Sequence, residues 1–401
     1  MSNLSLVSKI IEKVILSQLF NHLSTNRPFN PFQSAYRPGN STETALLKVT
    51  NDLLRSLDHG NVSLLTLLDL SAAFDAIDHT ILLHRLDQVF GIHDTALHWF
   101  SSYLTNRTQT VTVNNCSSAP EIISCGVPLG SVLAPVRFVL YTAPLSNVMD
   151  SHSVLHHSFA DDTQLQKSAP PQQVHELIQS VQQCVHDVES WMTHNKLKLN
   201  DDKTEALIIS APRSSNSIPL PDSVTVGNAT VRFSQSARYL GVTLDVHLTM
   251  TAHVVKLIRI ANFELSRINS TQHYLSVQAT KTLFSAFVLS RLDYCNSLLS
   301  GCPQYHLNRL QKVQNNAARL ILKAPKTTHI TPHLRTLHWL PINARIKYKL
   351  CFGAITFTGP VYLSDLLKIY TPTRQLRSSA DICTLCIPSV NTRLYGERSF
   401  S

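Results

Sequence analysis

The stretch Val62-Ser63-Leu64-Leu65-Thr66-Leu67-Leu68-Asp69-Leu70 decides how the rest of the chain is read. It is apolar almost without interruption, which suits a strand buried on both faces. Its one charge, Asp69, falls at the C-terminal end. A carboxylate there is costly unless it is paired or holds a metal. Further along, Ser158 to Gln166 reads as a hairpin whose turn carries Asp161 and Asp162. Three carboxylates on adjacent strand ends would form a compact, negative, all-oxygen site of the kind Mg²⁺ prefers. Two such ions, about 4 Å apart, can activate an attacking hydroxyl and steady a leaving pyrophosphate. Taken singly, each residue has a plainer reading. Asp69 could cap a short helix starting at Ser71, and Asp161 and Asp162 could be ordinary turn residues.

Upstream of that strand, residues 1 to 24 read as a helix, with Leu6, Ile10, Ile11, Val14, Ile15 and Leu19 near helical spacing. A loop marked by Pro28, Pro31, Pro38 and Gly39 follows. Asn40 is placed to cap a second helix, with Glu43 three residues on as in a capping box. Leu46, Val49, Leu53 and Leu57 line one face of it, and Gly60 is its stop. Downstream, helical patterns cover Ile81 to Phe90, Trp99 to Leu104 and Val174 to Asn195, with another helix beginning after Pro128 and Gly130. Thr108 to Val113 alternates like an edge strand. Ala206 to Ser210, Val224 to Phe233 and Tyr239 to Leu244 read as strands, and Pro212 to Pro221 as a Ser/Pro-rich loop. After residue 250 the pattern is helical, at about 252 to 269, 276 to 293 and 304 to 323. The order is mixed α/β first and all-α last, an α+β chain.

The 401 residues suffice for two or three packed units. A formal charge of +9 favours an anionic partner, nucleic acid first and acidic membrane second. No stretch is long and apolar enough to span a bilayer, since Asp69 and Arg137 interrupt the best runs. The eight cysteines are scattered, and reduced thiols are the default. Cys383 and Cys386 form half of a tetrahedral zinc site with no second pair after them. His329, His333 and His338 fit no tight helical pair with a fourth ligand.

Taken together, the motifs point one way. Leu67-Leu68-Asp69-Leu70-Ser71-Ala72-Ala73-Phe74-Asp75 resembles the first palm motif of LINE-type (non-LTR) reverse transcriptases, and Phe159-Ala160-Asp161-Asp162 resembles their F/Y-A-D-D box. Gly126-Val127-Pro128-Leu129-Gly130-Ser131-Val132-Leu133-Ala134-Pro135 is similar to their G-V-P-Q-G-S-V-L-G-P. The run from Pro31 through Gln33, Arg37 and Gly39 to Thr42 resembles their fingers motif Q-x-G-F-R-P-G-x-S-T. Lys198 to Thr204 and Tyr239-Leu240-Gly241-Val242 match the fourth and fifth palm motifs. The tail resembles jockey-like elements at Asp293-Tyr294-Cys295-Asn296, Leu310 to Asn315 and Leu337 to Pro341.

That resemblance implies a right-hand polymerase: partial fingers (1–60), a palm with the remaining fingers elements (61–250), a helical thumb (251–325) and a C-terminal helical connecting region (326–401). It implies RNA-templated DNA synthesis from a DNA primer and dNTPs with two Mg²⁺ ions, inside the cell and at the nucleus. Asp69 and Asp161 would hold the metals, with Asp162 supporting. Phe74 would exclude a ribose 2′-hydroxyl, with core packing as its plainer role. Lys203 would protonate the leaving pyrophosphate. Arg37, Leu129 and Gly130 would lie at the nucleotide. Tyr239, Leu240 and Gly241 would grip the primer end, and Lys256, Arg259 and Lys312 would contact phosphates, as would Arg267, Arg309, Arg319 and Lys323.

Several positions depart from the family pattern. Leu129 replaces a Gln whose amide would contact template or nucleotide. Ala134 replaces a Gly, and Arg137 stands at an apolar core position, costly unless it snorkels or pairs. The early fingers segment and an endonuclease domain are expected to be missing. These departures predict a copy weakened as an enzyme. The competing reading is a non-catalytic nucleic-acid-binding remnant; a palm-type cyclase using the same carboxylates is disfavoured by the ordered motifs.

Overall fold

A computed structural model describes residues 4–26, 29–71, 74–128, 130–212, 221–226, 229–356, 359–370 and 385–400. The deciding run forms β1 (Val62–Leu68), buried at every position. β1 lies inside a four-stranded antiparallel sheet with β2 (Leu155–Phe159), β3 (Asp162–Ala169) and β4 (Glu205–Ile209), in the order β4-β1-β3-β2. Successive side chains of a strand face opposite ways, and here each side meets a separate core. Val62, Leu64 and Leu68 pack with α3 (His79–Gln88), α5 (Ala134–Thr142), α6 (Leu145–Ser151) and α7 (Val174–His194). Leu65 and Leu67 pack with α2 (Thr42–Asp58) and the C-terminal helices. Two cores explain why the run has no polar alternation.

The N-terminal helix, α1, spans Leu6–Asn26. α2 begins one residue later than its sequence suggests. Ser41, not Asn40, is the cap: its Oγ accepts from Thr44 N at 3.1 Å, and Thr44 Oγ1 accepts from Ser41 N at 2.9 Å. Glu43 is thereby free of the cap, and its carboxylate accepts from Ser297 N and Lys349 Nζ, both at 3.0 Å. No helix starts at Ser71. Leu70–Ser71 pairs with Lys198–Leu199, and α3 starts at His79, where the Asp78 carboxylate accepts from Thr80 N and Ile81 N. α4 (Asp94–Leu104) follows. The edge strand expected at Thr108 to Val113 is two exposed fragments, Thr108–Gln109 and Thr112–Val113, each with its own short partner.

Each of the two later strands is instead a hairpin: β5 (Ser223–Val226) with β6 (Ala229–Arg232), and β7 (Ser236–Tyr239) with β8 (Val242–Asp245). The Asp245 carboxylate then accepts from Thr249 N and Met250 N, both at 2.9 Å, and fixes the entry to α8 (Thr251–Thr271). α9 (Val277–Phe284) runs through a π turn at Ser285–Leu289 into Ser290–Asp293, and α10 spans Gln304–Leu322. Beyond it, residues 385–400 come back to α2. Asp58 accepts from Thr392 N at 2.6 Å and Asn391 N at 3.0 Å, and Phe400 N donates to Asn51 Oδ1 at 2.8 Å. Among the described residues no helix is long and apolar enough to cross a membrane. Cys383 and most of the Ser/Pro-rich loop lie outside the described residues.

Candidate active site

Register places the first carboxylate. Leu68 stands opposite Thr163 in the β1–β3 ladder, so Asp69 leaves the sheet level with Asp162. The segment after Leu199 folds over it. Asn200 N donates to Asp69 O at 2.9 Å, Asn200 Nδ2 donates to Asp69 Oδ2 at 3.1 Å, and Lys203 Nζ lies 3.3 Å from the same oxygen. The hairpin turn is Ala160–Asp161, with Asp162 already the first residue of β3. Burial raises the Asp162 carboxyl above the usual carboxylate range. The charges of Asp161 and Asp69 add to that, and Lys203 opposes it. Asp162 therefore feels both of the other carboxylates. Asp69, Asp162 and Lys203 line one cavity of about 140 Å³, together with Arg238, Tyr239 and Leu240. Among the described residues no group of three or more His, Cys, Asp or Glu side chains is placed to hold a metal ion.

Sequence reading missed three residues at this site. Asn200 orients Asp69, and Arg238 supplies a second cation to the cavity. Tyr36 faces the hairpin tip: its phenol is raised by burial and then by the charge of Asp161. Asn200 and Tyr36 stood inside quoted motifs and Arg238 just before one, but nothing in their spacing singled them out.

The other expected residues separate into groups. Tyr239 is buried, and its hydroxyl donates to His157 O at 3.5 Å. Leu240 and Gly241 form the β7–β8 turn, both with positive φ, 44° and 83°. Tyr294 closes over that turn, its hydroxyl donating to Leu240 O at 2.7 Å. Phe74 packs on Phe138, ring centroids 5.0 Å apart. Arg37 Nη1 donates to Asn30 O at 2.7 Å and to Gln33 O at 3.0 Å, so that nitrogen is engaged within its own loop. Gly130 is exposed with φ 93°, and Leu129 lies outside the described residues. Lys256 and Arg259 on α8 and Lys312 on α10 are exposed, away from the carboxylates in sequence and in element.

Arg137, expected to be a misfit, is buried and has partners. Its Nη2 donates to Ser131 Oγ at 3.0 Å, and its guanidinium lies over the Tyr103 ring. Ser131 Oγ in turn donates to Glu12 Oε2 at 2.8 Å. Glu12, also buried, accepts from the Tyr103 hydroxyl and from the Val132 and Leu133 amides. Burial raises its carboxyl, yet these bonds together hold it below its ordinary value.

Comparison with known proteins follows the same lines. The family model described as reverse transcriptase (RNA-dependent DNA polymerase) matches residues 1–244. The chain is 25% identical over 354 residues to the probable RNA-directed DNA polymerase from transposon BS of Drosophila melanogaster, covering 86% of this chain and 38% of that protein. It is 25% identical over 328 residues to the RNA-directed DNA polymerase from mobile element jockey of the same organism, covering 80% and 35%. It thus spans little more than a third of these relatives' length. Among solved structures, apo telomerase from Candida tropicalis aligns at TM-score 0.47 and 12% identity, over 86% of this chain and 58% of that one. The matched residues 1–244 take in β1, the Asp161 hairpin, the Asn200–Lys203 cover and the Tyr239 turn, and the chain belongs to the reverse transcriptase (RNA-dependent DNA polymerase) family.

Proposed function

We propose that this chain catalyses RNA-templated DNA synthesis, adding dNTPs to a DNA primer by metal-assisted nucleotidyl transfer. The observation that carries this reading is the register that sets Asp69 level with Asp162 in a cavity shared with Lys203. Asp69, Asp161 and Asp162 would hold two Mg²⁺ ions, and their donor set fits: all oxygen and negative, with the Asp162 carboxyl raised by burial and by the charges of the other two, and Lys203 only partly offsetting them. The three side chains are not gathered into a ready-made metal site; Mg²⁺ is commonly bound by one or two carboxylates and completes its shell with water and substrate phosphates. When bound, the ions supply Lewis-acid stabilisation to the primer hydroxyl and the leaving pyrophosphate.

The protein's own side chains do the rest. Asn200 orients Asp69. Lys203 stands in the cavity where it can protonate the departing pyrophosphate oxygen, and Arg238 adds charge for the triphosphate. Phe74, steadied on Phe138, would exclude a 2′-hydroxyl, with Arg37 and the Gly126–Ser131 loop bordering the nucleotide. The Tyr239–Gly241 turn would support the primer end. Residues 61–250 act as palm, 1–60 as partial fingers, 251–325 as thumb with Lys256, Arg259 and Lys312 on phosphates, and 326–401 as connecting region. Extension of oligo(dT) on poly(rA) with dTTP and Mg²⁺ tests the reading. Incorporation abolished by Asp161→Asn is expected. A folded chain that binds the hybrid in a salt-dependent way yet incorporates nothing would favour the non-catalytic remnant instead.

A further inference from the structure

Ala160, the first residue of the hairpin turn, has φ 60°, a left-handed conformation that L side chains rarely adopt. Something outside the hairpin holds it there. The loop before α2 runs beside the edge strand β2: Ser34 N donates to Ser158 O at 2.9 Å, and Ser158 N donates to Phe32 O at 2.8 Å. Between these bonds Gln33, buried at 6% exposure, sends its amide along the strand to the turn. Its Oε1 accepts from Ala160 N at 3.1 Å and from Ala35 N at 3.0 Å, and its Nε2 donates to Ala160 O at 3.4 Å. A primary amide carries its donor and its acceptor on separate atoms of one planar group, so it can answer the N–H and the C=O of one residue together. Arg37 Nη1 braces the same loop from behind through Gln33 O.

We propose that Gln33 is a positioning residue: through Ala160 it fixes the turn that presents Asp161, and so the spacing of the carboxylates. This rests on the proposal that Asp161 holds a divalent cation. The bonds come from the far end of the fingers motif, 127 residues away, so the motif's glutamine and the Asp161 hairpin form one unit.

The test uses the full chain, with Gln33→Met, which keeps shape without polar atoms, and Gln33→Glu, which keeps the acceptor for Ala160 N. Amide hydrogen exchange reads the turn, and Mn²⁺ titration reads the carboxylates. Gln33→Met should speed exchange at Ala160 at least about tenfold and weaken Mn²⁺ binding about 10- to 100-fold, as loss of an outer-shell partner does. Gln33→Glu should keep the Ala160 amide protected, and it serves if the Met variant does not fold. Asp161→Asn should weaken Mn²⁺ without changing Ala160 exchange. Unchanged Ala160 exchange in Gln33→Met would overturn the inference whatever the metal does. So would faster exchange with Mn²⁺ affinity intact. If Asp161→Asn leaves Mn²⁺ binding untouched, the metal reading itself fails, and the inference with it.

Discussion

The guanidinium of Arg137 lies over the ring of Tyr103, 4.6 Å from its centroid, inside a core that the family pattern fills with an apolar side chain. Two effects compete there. Arg137 Nε and Nη1 find no hydrogen-bond partner among the described residues, which costs stability. Against that stand the bond to Ser131, the ring contact and the attraction of the buried Glu12 carboxylate. Removing one member of a buried pair is the more costly change. Arg137→Leu should therefore destabilise by about 1–3 kcal/mol rather than repair the fold. Adding Glu12→Gln should recover part of the loss in a double-mutant cycle read by urea midpoints. Additive single effects would show that the two residues are not coupled.

Lys203 and Asp69 are also oppositely charged neighbours, but Lys203 is largely exposed, so their pairing adds little to stability. Its predicted weight is kinetic. Lys203→Ala should lower kcat for dTTP incorporation by about 10²- to 10⁴-fold, as loss of a general acid does, with a much smaller change in KM. A rise in KM with kcat intact would assign Lys203 to binding alone.

Gly241 tests the joint between the β7–β8 turn and Tyr294. At φ 83° it suits glycine, and an added Cβ would come within 3.1 Å of the Tyr294 ring. Gly241→Ala should cost about 1–2 kcal/mol through backbone strain and displacement of that ring. Tyr294→Phe, losing the bond to Leu240 O, should cost about 1 kcal/mol. Thermal unfolding of the two variants and their combination measures both, and the double variant should lose less than the sum, since the sites touch.

His157 gives a pH signature. Burial pushes its imidazole down to about 3, helped by the nearby charges of Lys48, His156 and Arg37. An unfolded histidine titrates near about 6.5. Below that pH the unfolded chain takes up a proton that the folded chain refuses. Stability is thus intact above about pH 6.5 and declines as pH falls toward about 3, with about 2 kcal/mol lost by pH 5. His157→Gln should be less stable than wild type at pH 7.5, having lost its contact with Tyr362. The gap should narrow by about that amount at pH 5; a constant gap would mean the imidazole protonates freely in the fold.

The carboxylates were legible because short-range rules place them: a run too apolar for one buried face must be central, and an aspartate at its end needs a reason. The sequence places the cap of α2 one residue early because Asn40 and Ser41 are both good caps, and each has a partner three residues on. Glu43 is used elsewhere, by Lys349, 306 residues away. The Tyr239–Leu244 hairpin reads in sequence as one strand because its turn contains Leu240, an apolar residue at φ 44° that keeps the alternating pattern running. Glu12, Gln33 and Arg137 were illegible in role for one reason. A buried polar side chain declares only that it needs a partner, and the partner is chosen by the tertiary fold.

The return of residues 391 and 392 to Asp58 has a consequence in time. The contact joins residues 334 apart, and a chain made at about 5–20 residues per second exposes the end of α2 on the order of tens of seconds before its partner exists. During synthesis that helix end must wait, with its carboxylate in water, for residues made 333 and 334 positions later.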